Sequence, residues 1–158
     1  MAGLRGLNNV IRNLNTEIKN IENRSLKGLI LFGILIMNDT ENTSPKTPID
    51  LGNLRASRFI IASDGKINTG KNPRFKGEGS GKLSANHNLE IAAAKAVLTK
   101  RKMIAVRIGF SASYAIFVHE AVGIEFRRPG SGAKFLESSL KNKAKEGLSI
   151  IRSEARIR

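Results

Sequence analysis

The run GLILFGILIM, residues 28–37, decides how the fold of this chain is interpreted. It has ten residues, whereas a helix that crosses a membrane needs roughly twenty, and no signal-peptide cleavage site accompanies it. We therefore expect a soluble protein in which this run is a buried element. Because the run is apolar on nearly every side, it predicts a helix that is covered from several directions.

A one-sided apolar stripe precedes this run. Its members are separated by steps of 3, 4, 3, 4 and 3 residues, and mainly Asn, Arg, Lys and Glu lie between them, which is typical of an amphipathic helix. Stripe and run together predict one helix over residues 4–37, with Phe32 and Leu35 buried against a sheet. The stripe either meets a neighbouring subunit or packs wholly on the chain's own sheet, and the sequence leaves both open. It consists of Leu4, Leu7, Ile11, Leu14, Ile18 and Ile21.

Three further regions carry periodic patterns. Residues 59–62 are typical of a strand, and MIAVRIGF, residues 103–110, alternates as a half-buried strand does. Residues 113–123 form an apolar segment that predicts a short helix. From residue 133 onward, apolar residues recur every 3 or 4 positions and predict an amphipathic C-terminal helix. Its stripe consists of Leu136, Leu140, Ala144, Leu148, Ile151 and Ala155.

The regions between these elements are polar. Residues 38–48 contain Asp, Thr, Asn, Ser and two prolines, which predicts a loop. Residues 63–88 contain five glycines and several basic residues, which predicts a long exposed hairpin or a mobile loop. Residues 89–98 fit either a short helix or a strand.

The order of these elements predicts a single α+β domain. A small antiparallel β-sheet is packed by the long N-terminal helix and the C-terminal helix, and a long flexible basic loop or hairpin extends from it. Within residues 1–158 the predicted parts are the N-terminal helix (1–38), a turn and strand (47–63), the extended loop (64–88), a central segment with a strand (89–132) and the C-terminal helix (133–158).

The chain is strongly basic. It carries 27 Lys and Arg against 13 Asp and Glu, a net charge of +14. This charge favours a polyanionic or acidic partner, although it also serves to keep a basic protein soluble. Stacking aromatics and zinc-finger or helix-turn-helix spacings are missing, so only non-specific contact with duplex DNA stays open. The candidate residues for contact with DNA or a partner are Arg74, Lys76, Lys82, Arg101, Lys102, Arg127 and Arg128.

Motifs for catalysis or metal binding are incomplete. HEAVG, residues 119–123, lacks the second histidine of HExxH, and GEGSGK, residues 77–82, has the wrong glycine spacing for a phosphate loop. SSLK, residues 138–141, lacks the companion motifs of the serine hydrolases that use this spacing. There is no cysteine, and the two histidines are far apart in sequence. We therefore predict a protein that is not an enzyme, with no catalytic, cofactor-binding or metal-binding residues and no cofactor.

Three short motifs follow one another along the chain. TPIDLGNLRAS, residues 47–57, resembles the pattern T-P-x-D-x-G-x-L-R-x-S, and SYAIFVHEAVG, residues 113–123, resembles Y-A-x-x-V-E-x-G. GAKFLESSLKNK, residues 132–143, resembles a pattern in which a small residue and Phe-Leu open the last helix. In this order the motifs resemble those of the tail-completion, or neck, proteins of long-tailed double-stranded DNA bacteriophages. Three positions depart from that pattern: His119 precedes Glu120, Ile124 follows Gly123, and Lys134 replaces a common proline.

The resemblance carries over to single residues, for which side-chain chemistry suggests roles. We expect Asp50 to cap a short helical turn and to pair with Arg55, and Gly52 to adopt a positive φ. Tyr114 and Glu120 are expected to hold neighbouring segments together. Leu54, Val118, Phe135 and Leu136 are expected in the core. The matching positions are Asp50, Gly52, Leu54, Arg55, Ser57, Tyr114, Ala115, Val118, Glu120, Phe135 and Leu136.

The resemblance also implies a function. It implies a structural virion protein of the head–tail junction, assembled in the host cytoplasm, that completes the tail as part of a homo-oligomeric ring of six or twelve copies. The implied partners are copies of itself and other neck, connector and tail-tube proteins, with non-specific contact with double-stranded DNA open and no membrane. The alternative is a non-specific nucleic-acid-binding protein that uses its basic surface.

Overall fold

A long N-terminal helix, three short strands and a C-terminal helix make up the fold, which confirms the predicted α+β class. The computed structural model describes residues 6–68, 73–100 and 103–156. Its elements are α1 (Leu7–Asn42), α2 (Asn53–Ala56), β1 (Arg58–Ala62), β2 (Ile67–Asn68), α3 (Ser80–Lys100), β3 (Val106–Phe110), α4 (Ala115–Glu120) and α5 (Phe135–Ala155).

The sheet is antiparallel, with the strand order β2-β1-β3. Four consecutive residues of the central strand β1 are buried. Because successive side chains point to opposite faces, both faces of β1 are covered. Phe59 and Ile61 pack with Ala94 and Leu98 of α3. On the opposite face, Ile60 lies against α1. The sheet is therefore covered by α1 on one face and by α3 on the other.

Glycines allow α1 to approach both the sheet and α5. A Cβ on Gly33 would lie 3.1 Å from Ile108 Cγ2 of the sheet, and a Cβ on Gly147 of α5 would overlap the ring of Phe32. The prediction that Phe32 and Leu35 pack against the sheet is therefore wrong. Phe32 packs on α5 where glycine leaves room for its ring, and Leu35 lines a groove between α1 and α5.

The C-terminal helix packs along α1 with a face that agrees only in part with the predicted one. The positions buried most deeply on α5 are Phe135, Ser139 and Gly147, whereas Leu140 and Leu148 of the predicted stripe are exposed. Small residues bring the two helix backbones together, so the close contact follows Ser139 and Gly147 and not the leucines. A Cβ on Gly28 of α1 would likewise lie 2.9 Å from the Cα of Ile151.

Helix α1 continues past the predicted end at residue 37 and closes at Asn42. The predicted loop over residues 38–48 is thus wrong in its first part. Asp39, Thr40 and Glu41 are polar but buried, and Thr40 and one oxygen of Asp39 have local hydrogen-bond partners. The Thr40 hydroxyl donates to the Met37 carbonyl at 2.8 Å, and Asp39 Oδ1 accepts from the Thr43 hydroxyl at 2.7 Å.

The predicted loop over residues 63–88 divides into three parts. Strand β2 pairs with β1 in a short hairpin, and Ala62 N donates to Lys66 O across the turn at 2.9 Å. Residues 69–72 lie outside the described part. From Ser80 the chain is helical through Lys100, so the prediction of a loop is wrong for residues 80–88, and residues 89–98 are helix and not strand.

Candidate functional site

Residues from all three motifs meet in one hydrophobic cluster. The rings of Phe110 and Phe135 contact edge to face with centroids 5.3 Å apart, at the end of β3 and the start of α5. This confirms the core roles predicted for Leu54 and Phe135, whereas Val118 and Leu136 are only partly buried against the cluster. The buried members of the cluster are Leu54, Ala112 and Phe135, and the partly buried members are Phe110, Tyr114, Ala115, Val118 and Leu136.

The first motif forms a tight turn before β1. Gly52 has φ +85°, as predicted, and its carbonyl accepts from Ala56 N at 2.9 Å to start the single turn α2. Ser57 ends this turn: its hydroxyl donates to the Leu54 carbonyl at 2.8 Å. Asp50 does not cap the turn, so that prediction is wrong. Its exposed carboxylate instead accepts from Arg127 Nη1 at 3.0 Å.

Asn53 ties the first motif to the segment before α3. Its Nδ2 donates to the Lys76 carbonyl at 2.9 Å, and its Oδ1 accepts from Lys76 N at 2.8 Å. The side-chain amide thus pairs with both backbone groups of one residue, Lys76, as a neighbouring strand would. A segment predicted to be mobile is held to the motif turn at this point.

Glu41 lies at the centre of a group of arginines. Its side chain is 7% exposed, and Arg55 Nε lies 2.9 Å from its Oε2. Arg58 Nη1 is 3.8 Å from Oε1, and Arg128 Nη1 is 3.5 Å from Oε2. The predicted pair of Asp50 with Arg55 is therefore wrong, because Arg55 forms its ion pair with the buried Glu41 carboxylate. A buried carboxylate requires such partners to offset its desolvation.

Glu120 links the second motif to the third, as expected. Its carboxylate accepts from Lys134 and contacts His119 Nδ1 at 2.9 Å, while Lys134 N donates to the His119 carbonyl at 2.7 Å. The hydrogen bond from Lys134 lowers the pKa of Glu120. The same hydrogen bond raises the pKa of Lys134. His119 also stacks edge to face on Phe135, with centroids 5.0 Å apart. These contacts position the start of α5 against α4.

A cleft of about 590 Å³ opens beside the cluster. Asp50, Glu78 and Glu125 bring three carboxylates to it, whereas Arg127 is the only Lys or Arg among its lining residues. Burial in this wall raises the pKa of Tyr114. The local charge is thus opposite to the +14 of the whole chain. The apolar part of the wall includes Leu51, Leu54, Leu83, Tyr114, Val118 and Phe126.

A second feature of this region is an exposed apolar surface on α4 and the turn after it, which we call the α4 patch. Its four side chains are between 61% and 75% exposed. They belong to the same segment as Val118 and Glu125, which line the cleft. Exposed apolar groups concentrated in this way are typical of a protein interface. The α4 patch consists of Ile116, Phe117, Val122 and Ile124.

The predicted contact residues fall into different environments. Arg74 and Lys76 are exposed in the segment before α3, and Lys82 is exposed in the first turn of α3. Arg127 is exposed but pairs with Asp50. Arg128 points inward and donates to the carbonyls of Glu41 at 2.7 Å and Thr47 at 3.1 Å, while its contact with a partner or DNA stays a prediction. Arg101 and Lys102 lie outside the described residues.

Two kinds of feature are missing from residues 6–68, 73–100 and 103–156. No three His, Asp or Glu side chains there come together as ligands for a metal ion. No helix in these ranges combines the length and apolar character needed to cross a bilayer.

Sequence reasoning missed Glu41, Asn53 and His87. Glu41 falls in the stretch that the sequence predicts as a loop, and no local pattern identifies its distant arginines. His87 is buried on α3, with Nδ1 2.6 Å from the Ser111 hydroxyl and its ring edge-on to Phe75. A signal for α3 was present: Leu83, His87, Ile91, Ala94 and Leu98 follow at steps of 4, 4, 3 and 4 residues.

Comparisons with models of known protein families, with curated proteins and with solved structures find no match to this chain.

Proposed function

We propose that this chain is a structural protein of the bacteriophage neck, which completes the tail and joins it to the head connector as part of a homo-oligomeric ring of six or twelve copies. The observation that supports this most is the meeting of the three motifs in one cluster. Residues far apart in sequence, such as Leu54, Val118 and Phe135, pack together there. Because these motif residues pack in one core, packing explains why the chain carries the motifs, and no catalytic role is needed to explain them.

The surface beside this core supports an assembly role. The α4 patch exposes four large apolar side chains, and the cleft beside it offers an apolar wall with acidic groups. A ring of identical subunits closes through heterologous contacts, in which two different surfaces of each copy meet. The α4 patch and the cleft are two such different surfaces, each suited to a protein partner.

The electrostatics of the cleft support protein partners over DNA at this site. Its carboxylates would repel phosphates, whereas a basic or apolar segment of another protein suits them. The exposed basic residues Arg74, Lys76 and Lys82 are not among the residues that line the cleft, although the same stretch contributes Glu78 and Leu83 to its wall. They leave room for non-specific contact with the DNA that passes a head–tail junction.

Complementation of a phage that lacks this protein tests the proposal. Phe117→Asp places a charge on a side chain that is 75% exposed, so the subunit should fold but fail to restore joined particles. Leu89→Asp is the matched control, since Leu89 on α3 is 68% exposed and lies outside the motifs. Full rescue by a stably folded Phe117→Asp subunit would argue against the assembly role of the α4 patch. Imaging of particles with a tagged subunit should place the density at the junction.

The alternative, a free nucleic-acid-binding protein, has its own observation in the exposed Arg74, Lys76 and Lys82. Affinity for duplex DNA that rests on such contacts falls steeply as salt rises, with a slope that reports the number of phosphates contacted. A salt titration of the purified protein with duplex DNA separates the two functions. Tight binding at physiological salt that Arg74→Ala, Lys76→Ala and Lys82→Ala abolish together would favour the alternative.

A further inference from the structure

The N-terminal half of α1 carries an apolar stripe that the described residues do not cover; the predicted member Leu4 lies outside them. We call its four residues the α1 seam: Leu7, Ile11, Leu14 and Ile18, each between 47% and 58% exposed. Lys27 and Gly28 of α1 contact Glu154 and Ile151, near the end of α5. Since α5 ends at Ala155, the α1 seam lies beyond the end of α5.

The α1 seam continues the face of α1 on which α5 lies. Its steps of 4, 3 and 4 residues are those of a heptad repeat, with Ile11 and Ile18 at one core position and Leu7 and Leu14 at the other. Extending this repeat by whole heptads leads to Phe32. Phe32 packs against Gly147 of α5. The α1 seam is therefore in line with the face of α1 that α5 covers, and a helix over it would continue the line of α5.

We infer that the occupant of this space is the α1 seam of a second copy of this chain, running antiparallel. In this arrangement Leu7 of one copy lies opposite Ile18 of the other, and Ile11 lies opposite Leu14. The flanking positions then bring Val10 beside Glu17 of the other copy. Among residues 7–18 of the two copies no like charges meet, and Glu17 keeps its own partner Arg24 at 2.7 Å.

The antiparallel direction follows from charge and space. A parallel pair in register would set Glu17 of one copy against Glu22 of the other, which are like charges at facing flank positions. It would also require two α5 helices to occupy the space between two α1 helices, because α5 covers the same face. In the antiparallel pair, the N-terminus of α1 of one copy follows the C-terminus of α5 of the other. The opposite ends of two helix dipoles then meet, which is favourable.

This contact goes beyond the ring of the proposed function. It is two-fold and joins one surface to itself, whereas ring closure requires two different surfaces. It therefore pairs subunits or stacks two rings, and it does not depend on the α4 patch or the cleft.

Cysteine cross-linking tests the inference directly, because the chain has no cysteine of its own. Leu7→Cys and Ile18→Cys are purified separately, mixed and oxidised mildly. The mixture should give a disulfide-linked dimer containing one copy of each variant. Each variant alone should stay largely monomeric on a non-reducing gel, since eleven residues of helix separate like positions by about 16 Å.

The matched control is the mixture of Asn9→Cys with Thr16→Cys. These exposed positions sit at the same level along the helix but on the face opposite the α1 seam, so they should not cross-link. Circular dichroism melting confirms that each variant is folded. Absence of the mixed dimer from folded proteins, equal cross-linking of the control pair, or self-cross-linking of Leu7→Cys alone would each overturn the antiparallel contact. Rescue of particles in the complementation assay is a separate readout, so this contact can fail while the proposed function stands.

Discussion

Arg128 donates to the backbone carbonyl of Glu41 at 2.7 Å and so ties the loop before α5 to the last turn of α1. The neighbouring Arg127 differs in exposure and in partner, since its side chain is exposed and pairs with the exposed Asp50. We expect Arg128→Ala to lower the free energy of unfolding by about 2–3 kcal/mol, because hydrogen bonds to a charged donor are lost and Glu41 stays buried with fewer partners. Arg127→Ala should cost less than about 1 kcal/mol. Urea unfolding of the two variants measures the contrast, and equal losses would contradict it.

Gly147 permits the close contact of α5 with α1. A methyl group there would overlap the ring of Phe32, so we expect Gly147→Ala to destabilise the protein by several kcal/mol through overpacking. The double variant Phe32→Leu with Gly147→Ala should recover part of this loss. Gly81→Ala on α3 is the control: its Cβ meets nothing within 4 Å, and alanine there should stabilise the helix by up to about 1 kcal/mol. Thermal melting compares the three, and an unchanged melting temperature for Gly147→Ala would show that the helices can separate freely.

Local patterns were sufficient to predict the elements that have a regular apolar period. The stripe from Leu7 to Ile21 identified α1, and the alternation of Ile108 with its neighbours identified β3. The start of α5 near Phe135 also agrees with the prediction.

The features that the sequence did not predict depend on contacts between distant parts of the chain. The polar residues at the end of α1 stay helical because Arg128 satisfies the Glu41 carbonyl from 87 residues away. The face of α5 that packs is set by Ser139 and Gly147, which apolar periodicity does not count. The core residues of the site could be predicted from the motifs. The partners of Asp50 and Arg55 could not, since a pattern of spacing does not state which charges are buried.

His87 should make stability depend on pH. Burial lowers its pKa below the ordinary value of 6.5, so the unfolded chain takes up a proton more readily than the folded protein does. The free energy of unfolding should therefore fall as pH decreases below about 6.5, until the folded pKa is reached. Carboxylates with lowered pKa values, such as Glu137, titrate in a more acidic range.

Urea unfolding at about pH 7.5 and about pH 5.2 measures this dependence. His87→Gln removes the titrating group and should reduce the difference between the two pH values, although it also lowers stability at both. His119→Gln is the control for the second histidine and leaves the His87 contribution in place. A pH difference that persists unchanged in His87→Gln would assign the effect to another group.

Gly52 and Asp50 contribute differently to the turn of the first motif. Gly52 has φ +85°, a conformation that a β-branched residue resists, so Gly52→Val should cost about 1–3 kcal/mol. Gly52→Asn should cost less, because asparagine tolerates this region best among residues with a side chain. Asp50→Ala should cost less than about 1 kcal/mol, since the carboxylate caps nothing and pairs only with an exposed arginine. Gly52→Val should therefore lose the most stability, Gly52→Asn less and Asp50→Ala the least, and melting curves of the purified subunits check this order.

If the turn matters because it places Leu54 in the motif cluster, incorporation of the variants into particles should follow the same order. A Gly52→Val subunit that melts like wild type would show that the turn can adopt another conformation without loss, and would remove the physical reason for glycine at this position.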